Sequence, residues 1–219
     1  MLNQPPRTIT TPAEAFAVTG ICFGLSIVYS VQAVASGFPS GAFSDAGLLW
    51  TVATELVLAI AALALLHVRR YAVATLLPAP TLRGCVVGIG LFFAAWVVGW
   101  FLVSPFVAGQ AEQPVARMVQ DARLTLPVIV VMAMVNGTYE EIFLLGFLLR
   151  GLRGFGLSVA LGVMLLVRVL YHLYQGTLGT LWVLGFGLVF GLYYIRSSNL
   201  WPPVFAHVLW DIVPFVSQP

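Results

Sequence analysis

Glu140 and Glu141 stand side by side in the run Val135-Asn136-Gly137-Thr138-Tyr139-Glu140-Glu141-Ile142-Phe143-Leu144-Leu145-Gly146, inside a segment otherwise apolar enough to cross a membrane. An ionised carboxylate near a bilayer centre costs about 2.5 kcal/mol or more, so the pair needs a structural or chemical reason. Further along, Arg168 with His172 and His207 with Asp211 fall in two more apolar segments. Each of those pairs is spaced by four, which puts its members on one helix face. The two glutamates are about 100° apart around a helix, so one is expected to address a site while the other is held by a supporting contact. Taken singly, an intramembrane histidine is an ordinary interhelical hydrogen-bond donor. Two glutamates, two histidines and an aspartate spread over three spans are better explained by one shared polar cavity.

A carboxylate in apolar surroundings can act as a general base toward water near neutral pH. Two imidazoles can bind that water, donate to a developing oxyanion, or ligate a metal. This chemistry fits hydrolysis of an amide, and on composition alone it fits a proton relay or an ion site as well. The chain has no His-Glu-x-x-His on one helix, so the usual zinc-peptidase pattern is absent. Any metal would draw its ligands from different segments. Glu55 reads either as a hydrogen-bonded structural carboxyl or as a member of the cavity, and His67 as interfacial.

The elements that must carry these residues follow from composition. Of 219 residues, 60% are hydrophobic and 8% charged, with a mean hydropathy of +0.99, far from the roughly 25% charge of a soluble domain. The fold class is all-α, a polytopic transmembrane helix bundle of about seven membrane segments: 13–35, 47–67, 84–106, 125–149, 157–174, 178–196 and 200–216. The first is too long for a signal-peptide core, although Ala33-Val34-Ala35 resembles a cleavage site. Ser36 to Gly41 forms a turn cluster, and the polar stretch Ala108 to Arg123, which includes Gln110, belongs in water or among headgroups. Near Asn136-Gly137 a locally loosened helix is expected. His172 looks too deep to meet Glu140 unless 154–160 runs along the membrane surface or the fifth segment bends. Gly20/Gly24, Gly84/Gly88 and Gly187/Gly191 are small-residue pairs suited to close packing within the bundle. The chain reads as a single integral membrane domain, 1–219.

The net charge of +2 comes from ten arginines and no lysine, with no basic block to follow a phosphate backbone, so nucleic acid is not expected as a partner. Cys22 and Cys85 lie in apolar runs and suggest neither a disulfide framework nor a zinc ribbon. With Arg7 on the cytoplasmic side, Arg69, Arg70, Arg83, Arg150, Arg153 and Arg196 fall on that side too. The positive-inside bias therefore predicts a multi-pass protein of the cell membrane, N-terminus cytoplasmic.

The three spaced motifs resemble those of the CAAX-protease and bacteriocin-processing (CPBP, or ABI) family of intramembrane metalloproteases, over a protease-like core at 125–214. The family Glu-Glu-x-x-x-Arg is similar to Glu140 to Leu145, Phe-x-x-x-His to Arg168 to His172, and His-x-x-x-Asn/Asp to His207 to Asp211. The resemblance implies an intramembrane endopeptidase acting on a membrane-associated peptide or protein within the lipid bilayer. Glu140 would activate water, His172 would help position it, and His207 with Asp211 would complete the site and steady the oxyanion. Glu141 belongs to the same catalytic set. A divalent metal such as zinc is left open at Glu140, His172 and His207. Two departures stand out: the family arginine is Leu145 and the family phenylalanine is Arg168. Arg168 is expected to supply the missing cation to Glu141 from the neighbouring helix, because each charge buried alone would be costly. The alternative is a catalytically impaired member acting as a membrane scaffold or immunity-type protein. A proton-coupled carrier ranks below both, since no inverted repeat is visible.

Overall fold

The computed structural model describes residues 8, 10–38, 41–109 and 112–217; Arg7, Pro39, Ser40 and Gln110 lie outside them. Among the described residues eight α-helices follow one another: α1 (Pro12–Ala35), α2 (Asp45–Val68), α3 (Leu82–Val103), α4 (Pro114–Gln120), α5 (Leu126–Glu141), α6 (Leu157–His172), α7 (Thr177–Ser197) and α8 (Trp201–Val216). Their starts are written locally. Thr11 and Glu14 form a capping box on α1, while Ser44 and Thr81 accept from the Gly47 and Gly84 amides at the heads of α2 and α3. Prolines open α1, α4, α5 and α8, where a missing amide hydrogen costs nothing.

Among the described residues six helical spans are long and apolar enough to cross a membrane, including Leu126–Leu149, in which α5 continues without a break. The seventh expected segment is α8, whose 16 residues rise about 24 Å, short of the roughly 30 Å hydrocarbon core. The protein is thus an all-α polytopic bundle of six long spans and one shorter apolar helix. The polar stretch 108–123 contains α4, a short helix that its sequence did not announce.

Leu126–Leu149 is the most buried of the spans. Its first part, including Asn136 and Gly137, is regular α-helix, so the expected loosening there is not found. The wide turns come after the glutamates instead: Ile142–Leu149 is π-helical and wholly buried. Such turns are found mostly at functional sites. Gly137 has a different use, since a Cβ there would lie 3.2 Å from the Val208 amide nitrogen and 3.3 Å from His207 Cβ. Its missing side chain is what lets α8 lie against α5.

The depth conflict at His172 resolves without a surface run across 154–160. Arg153–Phe155 forms a separate 3₁₀ turn, Gly156 takes a positive φ of 105°, and α6 starts at Leu157. Helical side chains lean toward their own N-terminus. Because α5 and α6 run in opposite directions, Glu140 and the end of α6 lean toward each other.

Hydrogen bonds hold three arginines at one end of the bundle: Arg69 Nε to Glu14 (3.0 Å), Arg150 to Thr75 (3.0 Å) and Arg153 to the Tyr194 carbonyl (3.0 Å), with Trp201 Nε1 donating to the Thr81 carbonyl (3.2 Å) beside them. The opposite end is tied by Thr125 to Asp45 (3.0 Å) and by the Leu178 amide to Gln113 (3.0 Å). Gly84/Gly88 receive Trp201 and Phe205 of α8, and Gly187/Gly191 receive Arg168 and Met164 of α6, so both pairs serve packing inside the bundle. Gly20 and Gly24 have no described neighbour close enough for that use.

Candidate active site

The two glutamates end α5 just before the wide turns, and their environments differ. Glu141 is fully buried. Its Oε1 accepts from Arg168 Nη2 at 2.8 Å and from His207 Nδ1 at 2.7 Å, while Oε2 has no hydrogen-bond partner. The cation absent at Leu145 thus arrives from α6, at the position where the family carries phenylalanine. Charge-assisted hydrogen bonds of this length are the strong ones. Arg168 is itself fully buried, with its guanidinium carbon 4.7 Å from the Phe186 ring centroid. Gly187 makes room for its aliphatic stem.

Glu140 accepts a short hydrogen bond from the Tyr171 hydroxyl at Oε2. The same oxygen lies 3.6 Å from Arg168 Nη1 and 3.8 Å from His207 Nε2. Arg168 and Tyr171, three apart on α6, therefore hold the two carboxylates separately. Tyr171 is steadied by α1, where the Phe23 ring stacks on it at 4.9 Å, and the Tyr139 hydroxyl donates to the Cys22 carbonyl at 2.6 Å.

α8 completes the cluster. His207 Nε2 lies 3.7 Å from Asp211 Oδ1, and Asn136 Nδ2 donates to Asp211 Oδ2 at 2.8 Å. His172 Nδ1 lies 2.9 Å from the Arg168 carbonyl. A carbonyl can only accept, so Nδ1 carries the hydrogen, and in the neutral ring Nε2 keeps a lone pair.

A cavity of about 1320 Å³ extends from these residues toward the end bearing α4. Glu140, His172, Asp211, Asn136 and Glu55 are on its wall, while Glu141, Arg168 and His207 stand behind it. The structure thus brings Glu140, Glu141, Arg168, His207 and Asp211 into one cluster. It places His172 on the shared cavity but outside the group of closely spaced ligand atoms. Glu55 is a cavity member; Oε2 of its carboxyl has no hydrogen-bond partner. His67 is exposed at the end of α2.

The metal reading of Glu140, His172 and His207 needs correction. Among the described residues, those whose ligand atoms approach within 4.8 Å of one another are Glu140, Glu141 and His207. These do not suit a divalent ion. The Arg168 guanidinium already sits against both carboxylates, and Glu141 Oε1 is shared by Arg168 and His207. A second cation there would meet direct repulsion.

Sequence reasoning missed Tyr171 and the pairing of Asn136 with Asp211. Spacing held a signal for both: Asn136 is four residues before Glu140 and Tyr171 three after Arg168, so each shares a face with a residue already singled out.

Residues 122–213 match the family described as Type II CAAX prenyl endopeptidase Rce1-like. The matched segment contains all three motifs, so the resemblance they carry holds across it. No curated protein and no solved structure matches the chain.

Proposed function

We propose, with the CAAX-type endopeptidase match over residues 122–213 as premise, that this membrane protein hydrolyses a peptide bond in a membrane-associated peptide or protein. Glu140 is the general base. The water oxygen bonds to the scissile carbonyl carbon while the water proton passes to Glu140, leaving negative charge on the carbonyl oxygen. The carbon–nitrogen bond then breaks as Glu140 returns the proton to the departing amine, giving a carboxyl and an amino terminus. His172, through the lone pair on Nε2, accepts from the attacking water. His207 stands behind the wall, with Nδ1 donating to Glu141 and Nε2 beside Glu140 Oε2 and Asp211 Oδ1, so it positions the base and does not touch the substrate. Glu141 and Arg168 are likewise positioning residues, since they hold Glu140 from behind the wall and do not reach the cavity. No step is routed through a metal.

One observation supports this reading above the others: Glu140 and His172, from different helices, share the wall of one large cavity, while the adjacent Glu141 is locked behind it. The scaffold or immunity alternative drew on the missing arginine at Leu145, and the Arg168–Glu141 pair weakens that ground. The substrate reaches the cavity from the end bearing α4. With the N-terminus cytoplasmic in the cell membrane, that is the outer side.

The test compares the termini of membrane peptides between cells carrying the intact chain and cells carrying Glu140→Gln. New amino termini that vanish with Glu140→Gln support hydrolysis; identical sets in both cells contradict it.

A further inference from the structure

Glu55 is the one acidic residue of the cavity wall to which neither the fold nor the proposed hydrolysis gives a task. It lies on the face of α2 that also carries Thr51 and Leu58, spaced four and three residues away, and that face turns into the cavity. The residue is only 9% exposed, and its Oε2 has no hydrogen-bond partner. Glu140 and Asp211 face the same space, yet each has its own compensation: Glu140 in Tyr171, Arg168 and His207, Asp211 in Asn136 and His207. Leaving a buried carboxyl oxygen without a partner is costly inside a membrane protein, and the cost is relieved when a ligand supplies the donor.

The rest of the wall identifies the donor. Among the described residues lining the cavity there are three carboxylates, one histidine and several tyrosines, and no arginine or lysine. The titratable groups that line the space with Glu55 are therefore Glu140, Asp211, His172, the Cys22 thiol and the phenols of Tyr29, Tyr139, Tyr171 and Tyr174. Arg168 is held behind the wall by its ion pairs with Glu140 and Glu141. No cationic side chain among the described residues of this wall would pair with a free carboxylate, whereas a cation would meet a negative field with a low-dielectric surround. Trp96, Trp182 and Trp210 line the same space, and aromatic faces attract ammonium and guanidinium groups.

We infer that the cavity selects a peptide segment carrying a positively charged side chain, lysine or arginine, which Glu55 receives as an ion pair. The inference rests on the hydrolase reading only in taking the bound segment to be a substrate; the charge preference itself belongs to binding.

The test uses full-length protein carrying Glu140→Gln, in nanodiscs of zwitterionic phosphatidylcholine so that the lipid adds no charge preference. Three fluorescein-labelled peptides of leucine and alanine serve as probes, identical except for a central lysine, norleucine or glutamate. Fluorescence anisotropy should show the lysine peptide binding about tenfold or more tightly than the norleucine peptide, with the glutamate peptide weakest. Adding Glu55→Gln should abolish that preference while leaving norleucine binding unchanged, and Glu55→Asp should retain part of it. Equal binding of the lysine and norleucine peptides, or a lysine preference that survives Glu55→Gln, overturns the inference. A parallel cleavage assay with Glu140 intact keeps the two readings apart. Charge-selective binding without cleavage of any peptide sinks the hydrolase reading alone, and cleavage indifferent to charge sinks this inference alone.

Discussion

Arg168 Nη2 lies 2.8 Å from Glu141 Oε1, while the same guanidinium comes no closer than 3.6 Å to Glu140. The closer pairing assigns the two adjacent glutamates different tasks. Glu141 is fixed, and Glu140, held by a tyrosine hydroxyl, keeps its place on the cavity wall.

Arg168→Leu removes one partner of a fully buried pair and leaves Glu141 uncompensated. Such a loss costs about 3–5 kcal/mol. Thermal unfolding in detergent micelles should show a large drop in melting temperature, and a variant as stable as the parent would mean that Glu141 does not depend on this cation.

Moving the charge should restore what removing it destroys. Leu145 is fully buried and stands where the family carries arginine. Arg168→Phe alone is expected to be unstable, and the double variant Arg168→Phe with Leu145→Arg should recover part of the melting temperature and of the processing. If Leu145→Arg adds to the damage in both backgrounds, the wide turns at Ile142–Leu149 aim position 145 away from Glu141.

Tyr171→Phe deletes a hydrogen bond to Glu140 and keeps the ring that stacks on Phe23. A hydrogen bond to a charged group is worth about 1.5–3 kcal/mol. Steady-state kinetics should show kcat lowered roughly tenfold or more with KM little changed. A change confined to KM would assign Tyr171 to substrate binding.

Gly137→Val tests the approach of α8 to α5. A single added carbon already lies 3.3 Å from His207 Cβ, and a branched side chain must push α8 outward. Processing should fall further than stability does, because the His207–Glu141 hydrogen bond of 2.7 Å is the first to break as α8 moves. Equal falls in both would show that this hydrogen bond serves the fold alone.

Much of this arrangement was legible because lipid penalises exceptions. Apolar runs marked the spans, and the charges inside them marked the site, since Glu140, Glu141, Arg168, His207 and Asp211 are costly in a bilayer unless they meet. The same reasoning anticipated Arg168 as the partner of Glu141. A spacing of four fixes a shared helix face but not the neighbour that face meets. Spacing therefore cannot show that His207 stands behind the cavity, nor that Glu141 and not His172 brings its ligand atom close to Glu140 and His207. The wide turns at Ile142–Leu149 leave no mark in a run of uniformly apolar residues. Tyr171 was missed because a tyrosine beside a span end is commonplace at membrane interfaces. α8 was expected to span like the others because composition alone does not distinguish a helix of 16 residues from a full crossing.

The central claim is that Glu140, and not its neighbour, moves the proton of the attacking water. The direct measurement is single-turnover cleavage, by protein reconstituted in liposomes, of a substrate recovered from the comparison of membrane-peptide termini, with Glu140→Gln and Glu141→Gln side by side and melting temperatures recorded for both. The account predicts that Glu140→Gln abolishes cleavage at unchanged stability and unchanged substrate binding, while Glu141→Gln lowers stability and keeps measurable turnover. Cleavage at the parental rate by Glu140→Gln would contradict it.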